Sequence, residues 1–78
     1  MYHKKILKII QNVIGSKEAI KFDDDLSKYI ASSLTFIAIL GEVESTFDIE
    51  ISEEYLLKIT KYNSINAIND MIVELKNM

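Results

Sequence analysis

Two adjacent serines, Ser32 and Ser33, are the residues of this sequence whose type and position most readily suggest chemistry. They stand directly before an apolar stretch, where a serine hydroxyl either caps a helix or is presented to another molecule. A serine that acts as a catalytic nucleophile needs a base held by a third group. No His or Lys has a spacing that suggests such a triad, and the one histidine, His3, lies where we expect a frayed terminus. The sequence therefore predicts no catalytic residues.

The acidic run from Asp23 to Asp25 could suggest a calcium-binding loop. Such a loop also needs a glycine turn and a distant bidentate glutamate, and neither follows at the required spacing. The sequence has no cysteine, which excludes disulfides and thiolate metal sites. We therefore expect no metal site and interpret the acidic run as a solvated loop.

Apolar positions with a helical period predict the elements that hold these residues. The first helix covers residues 2–14 and stops at Gly15, and the second runs from about Ser33 to Thr46. A short third helix follows Ser52, and the last one begins after its cap, Ser64. No segment alternates convincingly with period two. The predicted fold class is all-α, a small bundle of three long helices and one short helix.

Two segments of the chain show a weaker pattern. We interpret residues 16–31 as a long ordered loop, because they lack a clean period. Four residues are predicted to pin this loop to the core: Ile20, Phe22, Leu26 and Tyr29. Three residues are predicted to give the short helix its apolar side: Tyr55, Leu56 and Ile59.

The orientation of the second helix follows from a rotation of about 100° per residue. The arc predicted to be buried holds Phe36, Ile37, Ile39, Leu40, Val43 and Phe47, with Glu44 at its edge. Leu34 falls on the opposite side, beside Ala38 and Gly41. Gly41 costs about 1 kcal/mol relative to alanine in a helix, and on an exposed side it either admits a partner closely or serves no purpose. An exposed Leu34 beside a serine is not explained by folding alone.

Length and composition indicate one soluble domain over residues 1–78. Hydrophobic residues make up 49% of the chain and charged residues 27%, which is typical of globular proteins. The N-terminal apolar stretch is interrupted by Lys8 and Gln11, so we expect no secretion signal. The longest apolar run, residues 36–40, is far shorter than the roughly 20 residues of a membrane span. We expect a cytoplasmic monomer with no membrane partner.

Charge is distributed unevenly along the chain. Residues 1–21 carry five lysines against Glu18 alone, whereas residues 42–54 carry six acidic residues and no lysine. An acidic middle segment argues against nucleic acid as a partner, because phosphate contacts need clustered Lys or Arg. It favours a partner with a basic docking surface.

The spacing of apolar residues after Ser33 resembles that of acyl and peptidyl carrier proteins, over roughly residues 20–75. Leu34 stands at +1, further apolar residues stand at +4, +6, +7 and +10, and Phe47, Ile49 and Ile51 stand at +14, +16 and +18. In that family an Asp-Ser-Leu motif opens the second helix, and its serine receives 4'-phosphopantetheine from coenzyme A. Counting from Ser32 shifts every spacing by one position, so the resemblance implies attachment at Ser33.

Two positions depart from the family pattern. The family usually has Asp directly before the serine and often Gly two residues before that Asp, and this chain has Ser32 and Ile30 there. Ser32 can still cap the helix through its hydroxyl. It brings no carboxylate to attract a modifying enzyme.

The resemblance implies a carrier, not an enzyme, with acyl or aminoacyl groups held as thioesters on the arm at Ser33. The implied pathway is fatty-acid, polyketide or nonribosomal peptide-type biosynthesis, and the implied partners are a phosphopantetheinyl transferase and the loading and biosynthetic enzymes. The candidate partner-binding residues are Leu34, Thr35, Ala38 and Glu42.

Three alternatives stay open. The chain could carry D-alanine or another amino acid. It could be an unmodified carrier-like protein-interaction module, which the missing Asp supports. A helix-turn-helix DNA-binding domain is the third alternative, and the acidic residues after Ser33 count against it.

Overall fold

The computed structural model describes residues 1–57 and 63–77. Within them the chain forms four α-helices, and no strand is present in these two ranges. The helices are α1 (His3–Ile14), α2 (Ser33–Phe47), α3 (Glu53–Leu57) and α4 (Ile65–Lys76), with one 3-10 turn at Leu26–Lys28 between α1 and α2. The predicted all-α bundle of three long helices and one short helix is confirmed.

The ends of the helices follow from local chemistry. Gly15 closes α1 with φ 69°, a left-handed conformation that glycine adopts without steric cost. Asp48 closes α2 in the same way with φ 53°, and its N–H donates to the Glu44 carbonyl. Ser64 caps α4, since its hydroxyl accepts a hydrogen bond from the Ala67 N–H at 3.1 Å. The predicted stop at Gly15 and the predicted cap at Ser64 are confirmed.

The core lies between α1, α2 and α4, and α1 packs against both of the other helices. Its fully enclosed members are mostly isoleucine and leucine: Ile6, Ile10, Leu26, Ile39, Leu40, Val43, Ile65, Ile68, Met71 and Ile72. The ring of Tyr2 packs edge-on against Phe47 with centroids 5.0 Å apart, so the start of α1 meets the end of α2. Burying these apolar side chains is the main source of stability in so small a domain.

Contacts across the bundle hold the start of α1. The buried Asn69 of α4 accepts a hydrogen bond from the Tyr2 N–H at 2.9 Å. His3 begins the helix, and its Nε2 lies 3.0 Å from the Asn66 Oδ1. The expectation that His3 lies in a frayed terminus is therefore wrong, because α4 supplies polar partners that the sequence pattern does not reveal.

Two residues predicted to be buried are exposed. Ile37 is 47% exposed, because it lies at one edge of the predicted arc and the core does not extend that far around α2. Phe22 is 39% exposed, and its ring lies on the His3 imidazole at the surface with centroids 4.8 Å apart. Ile20 and Leu26 are buried and Tyr29 is half-buried, as predicted for the other residues that pin the loop.

The short helix α3 begins directly after Ser52, as predicted. Tyr55 is half-buried and packs against the core. The Leu56 side chain and Ile59 lie outside the described residues. Within the part of the chain that the structure describes, no helix is long and apolar enough to cross a membrane.

Candidate functional site

The N-terminus of α2 assigns different roles to the two adjacent serines. Ser32 is extended, with φ −141° and ψ 153°, and its hydroxyl accepts a hydrogen bond from the Thr35 N–H at 3.2 Å. The Thr35 hydroxyl lies 3.1 Å from the same Ser32 oxygen. Ser32 is thus the N-cap, and its hydroxyl is engaged in holding the first turn.

Ser33 is the first residue of α2, and its side chain is exposed. Among the residues that the structure describes, none hydrogen-bonds its hydroxyl. The first N–H groups of a helix have no partner within the helix, and here the Ser32 hydroxyl accepts that of Thr35. The first regular helical hydrogen bond runs from the Phe36 N–H to the Ser32 carbonyl. The N–H groups of Ser33 and Leu34 stay available, and the positive end of the helix dipole lies beside them. This setting suits a phosphodiester on the Ser33 oxygen.

The loop that leads to Ser33 is fixed by its own side chains. The Asp24 carboxylate accepts hydrogen bonds from the Lys21 N–H at 3.0 Å and the Tyr29 hydroxyl at 2.9 Å. These two bonds hold the pKa of Asp24 below its ordinary value, and the bond to Asp24 raises the pKa of the Tyr29 phenol. Asp25 caps the 3-10 turn by accepting from the Ser27 N–H, which lowers the pKa of the Asp25 carboxyl.

Two of the three acidic residues therefore have structural roles within the loop. The prediction of a plain solvated loop agrees with the exposure of Asp23 and Asp25, but Asp24 is half-buried and the prediction missed these hydrogen bonds. Among the described residues, no group of three or more His, Asp or Glu side chains is placed to hold a metal ion.

A groove of about 390 Å³ lies beside Ser33. Its apolar lining comes from Leu26, Ile30 and Phe36, and Ser33 itself lies at its edge. The Leu26 N–H donates to the Asn63 carbonyl at 2.6 Å, which holds the 3-10 turn against the segment before α4 and fixes this side of the groove. A flexible arm attached to the Ser33 oxygen has an apolar surface beside it on which to lie.

The candidate partner-binding residues differ in their exposure. Leu34 is 77% exposed, and Ala38 and Glu42 are also exposed on α2. Thr35 is half-buried, and both its N–H and its hydroxyl meet the Ser32 hydroxyl. Their role in binding partners stays a prediction.

Two residues of α2 have surroundings that helical periodicity did not reveal. Ile37 is exposed on the same side as Leu34, and the signal that could have found it is its place at the edge of the predicted arc. Glu44 is half-buried, and its carboxylate accepts a hydrogen bond from the Ile51 N–H at 2.8 Å. Glu44 therefore holds the connection between α2 and α3.

Known proteins resemble this chain over most of its length. The family described as "Phosphopantetheine attachment site" matches residues 4–72. An acyl carrier protein from Buchnera aphidicola subsp. Schizaphis graminum is 42% identical over 73 residues, covering 86% of this chain and 89% of that protein. No solved structure matches the chain at a significant level.

Proposed function

We propose a function for this chain from the premise that it belongs to the family of domains with a phosphopantetheine attachment site. Its prosthetic group is a covalently attached 4'-phosphopantetheine. In our proposal the chain is an acyl carrier protein and not an enzyme, and Ser33 is the residue that holds the arm. When bound, the arm supplies a thiol on which acyl groups are held as thioesters.

The observation that supports Ser33 is a difference in hydrogen bonding between the Ser32 and Ser33 hydroxyls. The Ser32 hydroxyl is engaged with Thr35 in capping α2, whereas the exposed Ser33 hydroxyl has no partner among the described residues. A transferase can therefore reach Ser33 without breaking the cap. The spacing from Ser33 to Leu34 and Phe47 supports the same choice, since it is the spacing of the carrier families.

Ser33 itself needs no base for this reaction. In the loading step its oxygen forms a bond to the phosphorus next to the pantetheine of coenzyme A, and the bond from that phosphorus to the bridging oxygen of the pyrophosphate breaks. Adenosine 3',5'-bisphosphate leaves, and the hydroxyl proton passes to a base of the transferase. The chain contributes an accessible hydroxyl and the free N–H groups of the first turn of α2.

The proposed partners are a phosphopantetheinyl transferase and the enzymes that load and use the carried group. We propose an acyl cargo because the relative that matches this chain is an acyl carrier protein, and the groove beside Ser33 offers such a cargo the apolar side chains of Leu26, Ile30 and Phe36. Fatty-acid and polyketide biosynthesis use acyl cargo, whereas nonribosomal peptide-type biosynthesis uses aminoacyl cargo. A carrier for D-alanine or another amino acid is the corresponding alternative.

The experiment is intact-mass analysis after incubation with coenzyme A and a broad-specificity phosphopantetheinyl transferase. We expect wild type to gain one phosphopantetheinyl group and Ser33→Ala to gain none. Ser32→Ala is the matched control. It should lose only the cap, about 1 kcal/mol of stability, and still gain the group.

The variant Ser32→Asp restores the aspartate that the family usually has before the serine, and it tests whether that residue affects modification. An aspartate also caps a helix and suits its dipole, so modification should stay intact or become faster. A mass gain that survives Ser33→Ala but disappears in Ser32→Ala would move the site to Ser32. If neither wild type nor Ser32→Asp is ever modified by any transferase tried, the chain is an unmodified interaction module and the proposal is wrong.

A further inference from the structure

The start of α1 brings four nitrogen atoms together. His3 is the one histidine of the sequence, and its Nδ1 atom lies 2.9 Å from the amine of Met1. The main-chain nitrogens of Tyr2 and His3 lie between these two groups along the chain. We call these four atoms the N-terminal nitrogen set: the Met1 amine, the Tyr2 and His3 main-chain nitrogens, and His3 Nδ1.

A side chain of α4 determines which nitrogen of the His3 ring carries the proton. The His3 Nε2 atom lies 3.0 Å from the Asn66 Oδ1 atom, and an amide oxygen can only accept a hydrogen bond. In the neutral ring Nε2 therefore carries the proton, and the lone pair of Nδ1 faces the Met1 amine. The Phe22 ring lies on the imidazole with centroids 4.8 Å apart and helps to hold its orientation. A histidine that binds a metal ion is usually held in this way through its other nitrogen.

The geometry of the nitrogen set matches a square-planar metal site along two edges. Tyr2 has ψ 8°, which places its own nitrogen and the His3 nitrogen on the same side of the Tyr2 Cα–C bond, as a chelate ring requires. With metal–nitrogen bonds of about 2.0 Å, neighbouring ligands of a square-planar ion lie about 2.8 Å apart. The Met1 amine and His3 Nδ1 are 2.9 Å apart. These two edges lie opposite each other in the square.

We propose that this chain, in the form whose Met1 amine is free, binds one Cu(II) ion through the N-terminal nitrogen set. Square-planar nitrogen sites suit Cu(II) and Ni(II), and Cu(II) binds more strongly than the other divalent first-row metals. The ion forms four bonds to nitrogen and loses water ligands. The protonated amine and the two amides release three protons to the buffer, and the ion stays Cu(II).

Charge and access both permit binding at this position. The two amide nitrogens become anionic and balance the charge of Cu(II), so the complex adds no positive charge beside Lys4 and Lys5. Met1 is 87% exposed, so the ion can reach the site from solvent.

The two amides differ in what they must give up. His3 is the first residue of α1, and a helix provides no partner for the N–H at that position. The Tyr2 N–H donates to the Oδ1 atom of the buried Asn69 at 2.9 Å, and copper must replace this bond. The start of α1 therefore exchanges a hydrogen bond to α4 for a bond to the metal.

A site of this kind does not depend on a cluster of metal-binding side chains. Among the described residues, no group of three or more His, Asp or Glu is placed to hold a metal ion. The nitrogen set has one side-chain ligand and takes its other three from the chain itself. The inference does not rest on the proposed function, because Ser33 has no part in the site.

The test adds Cu(II) to the full chain in the presence of citrate, a weak competing chelator, and follows the visible absorption of the bound ion. We expect one ion per chain and a spectrum typical of four nitrogen ligands. His3→Ala should lose this spectrum. One glycine added before Met1 should also remove it, because the amine then lies one residue further from His3. Ser33→Ala is the matched control and should bind copper as wild type does.

Two variants of Asn66 test the bond that holds the imidazole. Asn66→Ala should weaken copper binding by about tenfold, because Nε2 loses its acceptor. Asn66→Asp keeps an oxygen at this position and should bind copper at least as tightly as wild type.

Ni(II) allows the main-chain ligands to be observed by NMR, because its square-planar complexes are diamagnetic. The amide signals of Tyr2 and His3 should disappear when Ni(II) is added, since both nitrogens lose their protons. The amide signals of α2 should persist.

Three results would overturn the inference. The first is a wild type that binds no copper, or that binds it with the same spectrum and affinity as His3→Ala, which would assign any binding to carboxylates elsewhere. The second is a glycine-extended chain that binds as wild type does, which would show that the amine is not a ligand. The third is a nickel complex that keeps the Tyr2 and His3 amide signals. All three leave the proposed function standing, since intact-mass analysis of loading at Ser33 tests it separately.

Discussion

Helices α1 and α2 pack against each other, yet their apolar residues are distributed differently around the two helices. In α1 the apolar residues are buried or half-buried against the core, and the exposed side holds Lys4, Lys5 and Lys8. In α2 apolar residues lie on both sides of the helix, and Leu34 and Ile37 face solvent. Packing within the described residues accounts for the large apolar residues of α1, but in α2 it leaves Leu34 and Ile37 without an explanation.

This difference distinguishes apolar residues that the fold needs for packing from apolar residues that it does not need. A surface helix that only stabilises a domain needs one apolar side and is otherwise polar, as α1 is. The additional apolar residues of α2 begin directly after Ser33, the proposed attachment site. Exposed apolar residues at a proposed functional serine are therefore the feature that sets α2 apart from its neighbour.

The largest effect should come from the contact that joins the two helices. Phe47 is 5% exposed and its ring packs against Tyr2, so Phe47→Ala should reduce the free energy of unfolding by about 3 to 5 kcal/mol. Urea denaturation monitored by circular dichroism measures this loss. Phe22→Ala removes the same side chain from a more exposed position and should cost clearly less. A Phe47→Ala variant as stable as wild type would show that α1 and α2 are not packed as described.

Two leucines of α2 test which side of the helix is buried and which is exposed. Leu40 is 2% exposed and Leu34 is 77% exposed. Leu40→Ala should therefore cost at least about 2 kcal/mol, whereas Leu34→Ala should stay within about 0.5 kcal/mol of wild type. The same denaturation experiment measures both. Equal losses would mean that α2 is rotated, and would remove the reason for treating Leu34 as a contact residue.

The smallest effect concerns the loop that connects the two helices. The Lys21 N–H and the Tyr29 hydroxyl lower the pKa of Asp24, so this carboxylate stabilises the fold above its unfolded pKa of about 3.9 and stops doing so as pH falls through its lower folded pKa. Tyr29→Phe should raise the pKa of Asp24 towards its ordinary value. The destabilisation by this variant should shrink as the solution is acidified through that range.

A carboxyl titration by NMR checks this pH dependence. Asp25 is the internal control, because Ser27 and not Tyr29 lowers its pKa, and that pKa should be unchanged in Tyr29→Phe. An unchanged pKa of Asp24 in the same variant would show that the Tyr29 bond has no effect on the carboxyl.

Much of the fold follows from local rules that the sequence makes visible. The stop at Gly15, the cap at Ser64 and the burial of Leu40 and Phe47 need only a helical period and the chemistry of helix ends. The exposure of Ile37 could not be predicted, because it depends on how far the rest of the core extends around α2. A helical wheel gives the direction in which a side chain points, but it does not show whether other parts of the chain bury that side chain.

The polar contacts were harder to predict, because their partners are distant in sequence. The hydrogen bonds from Tyr2 to Asn69 and from Ile51 to Glu44 join different parts of the chain, and the helical period of apolar residues does not predict them. At the candidate site, the family spacing predicts attachment at Ser33. The structure added that Ser32 is the cap, a choice that the sequence alone had left open between two neighbouring hydroxyls.

The left-handed end of α2 has a consequence for how this sequence can vary. Asp48 adopts φ 53°, a left-handed conformation that aspartate tolerates better than most residues and that glycine adopts without steric cost. Glycine at position 48 would remove the remaining strain without changing the serines or the exposed side of α2. Position 48 is thus a place for compensating mutations, where stability lost through a change on the exposed side of α2 can be recovered.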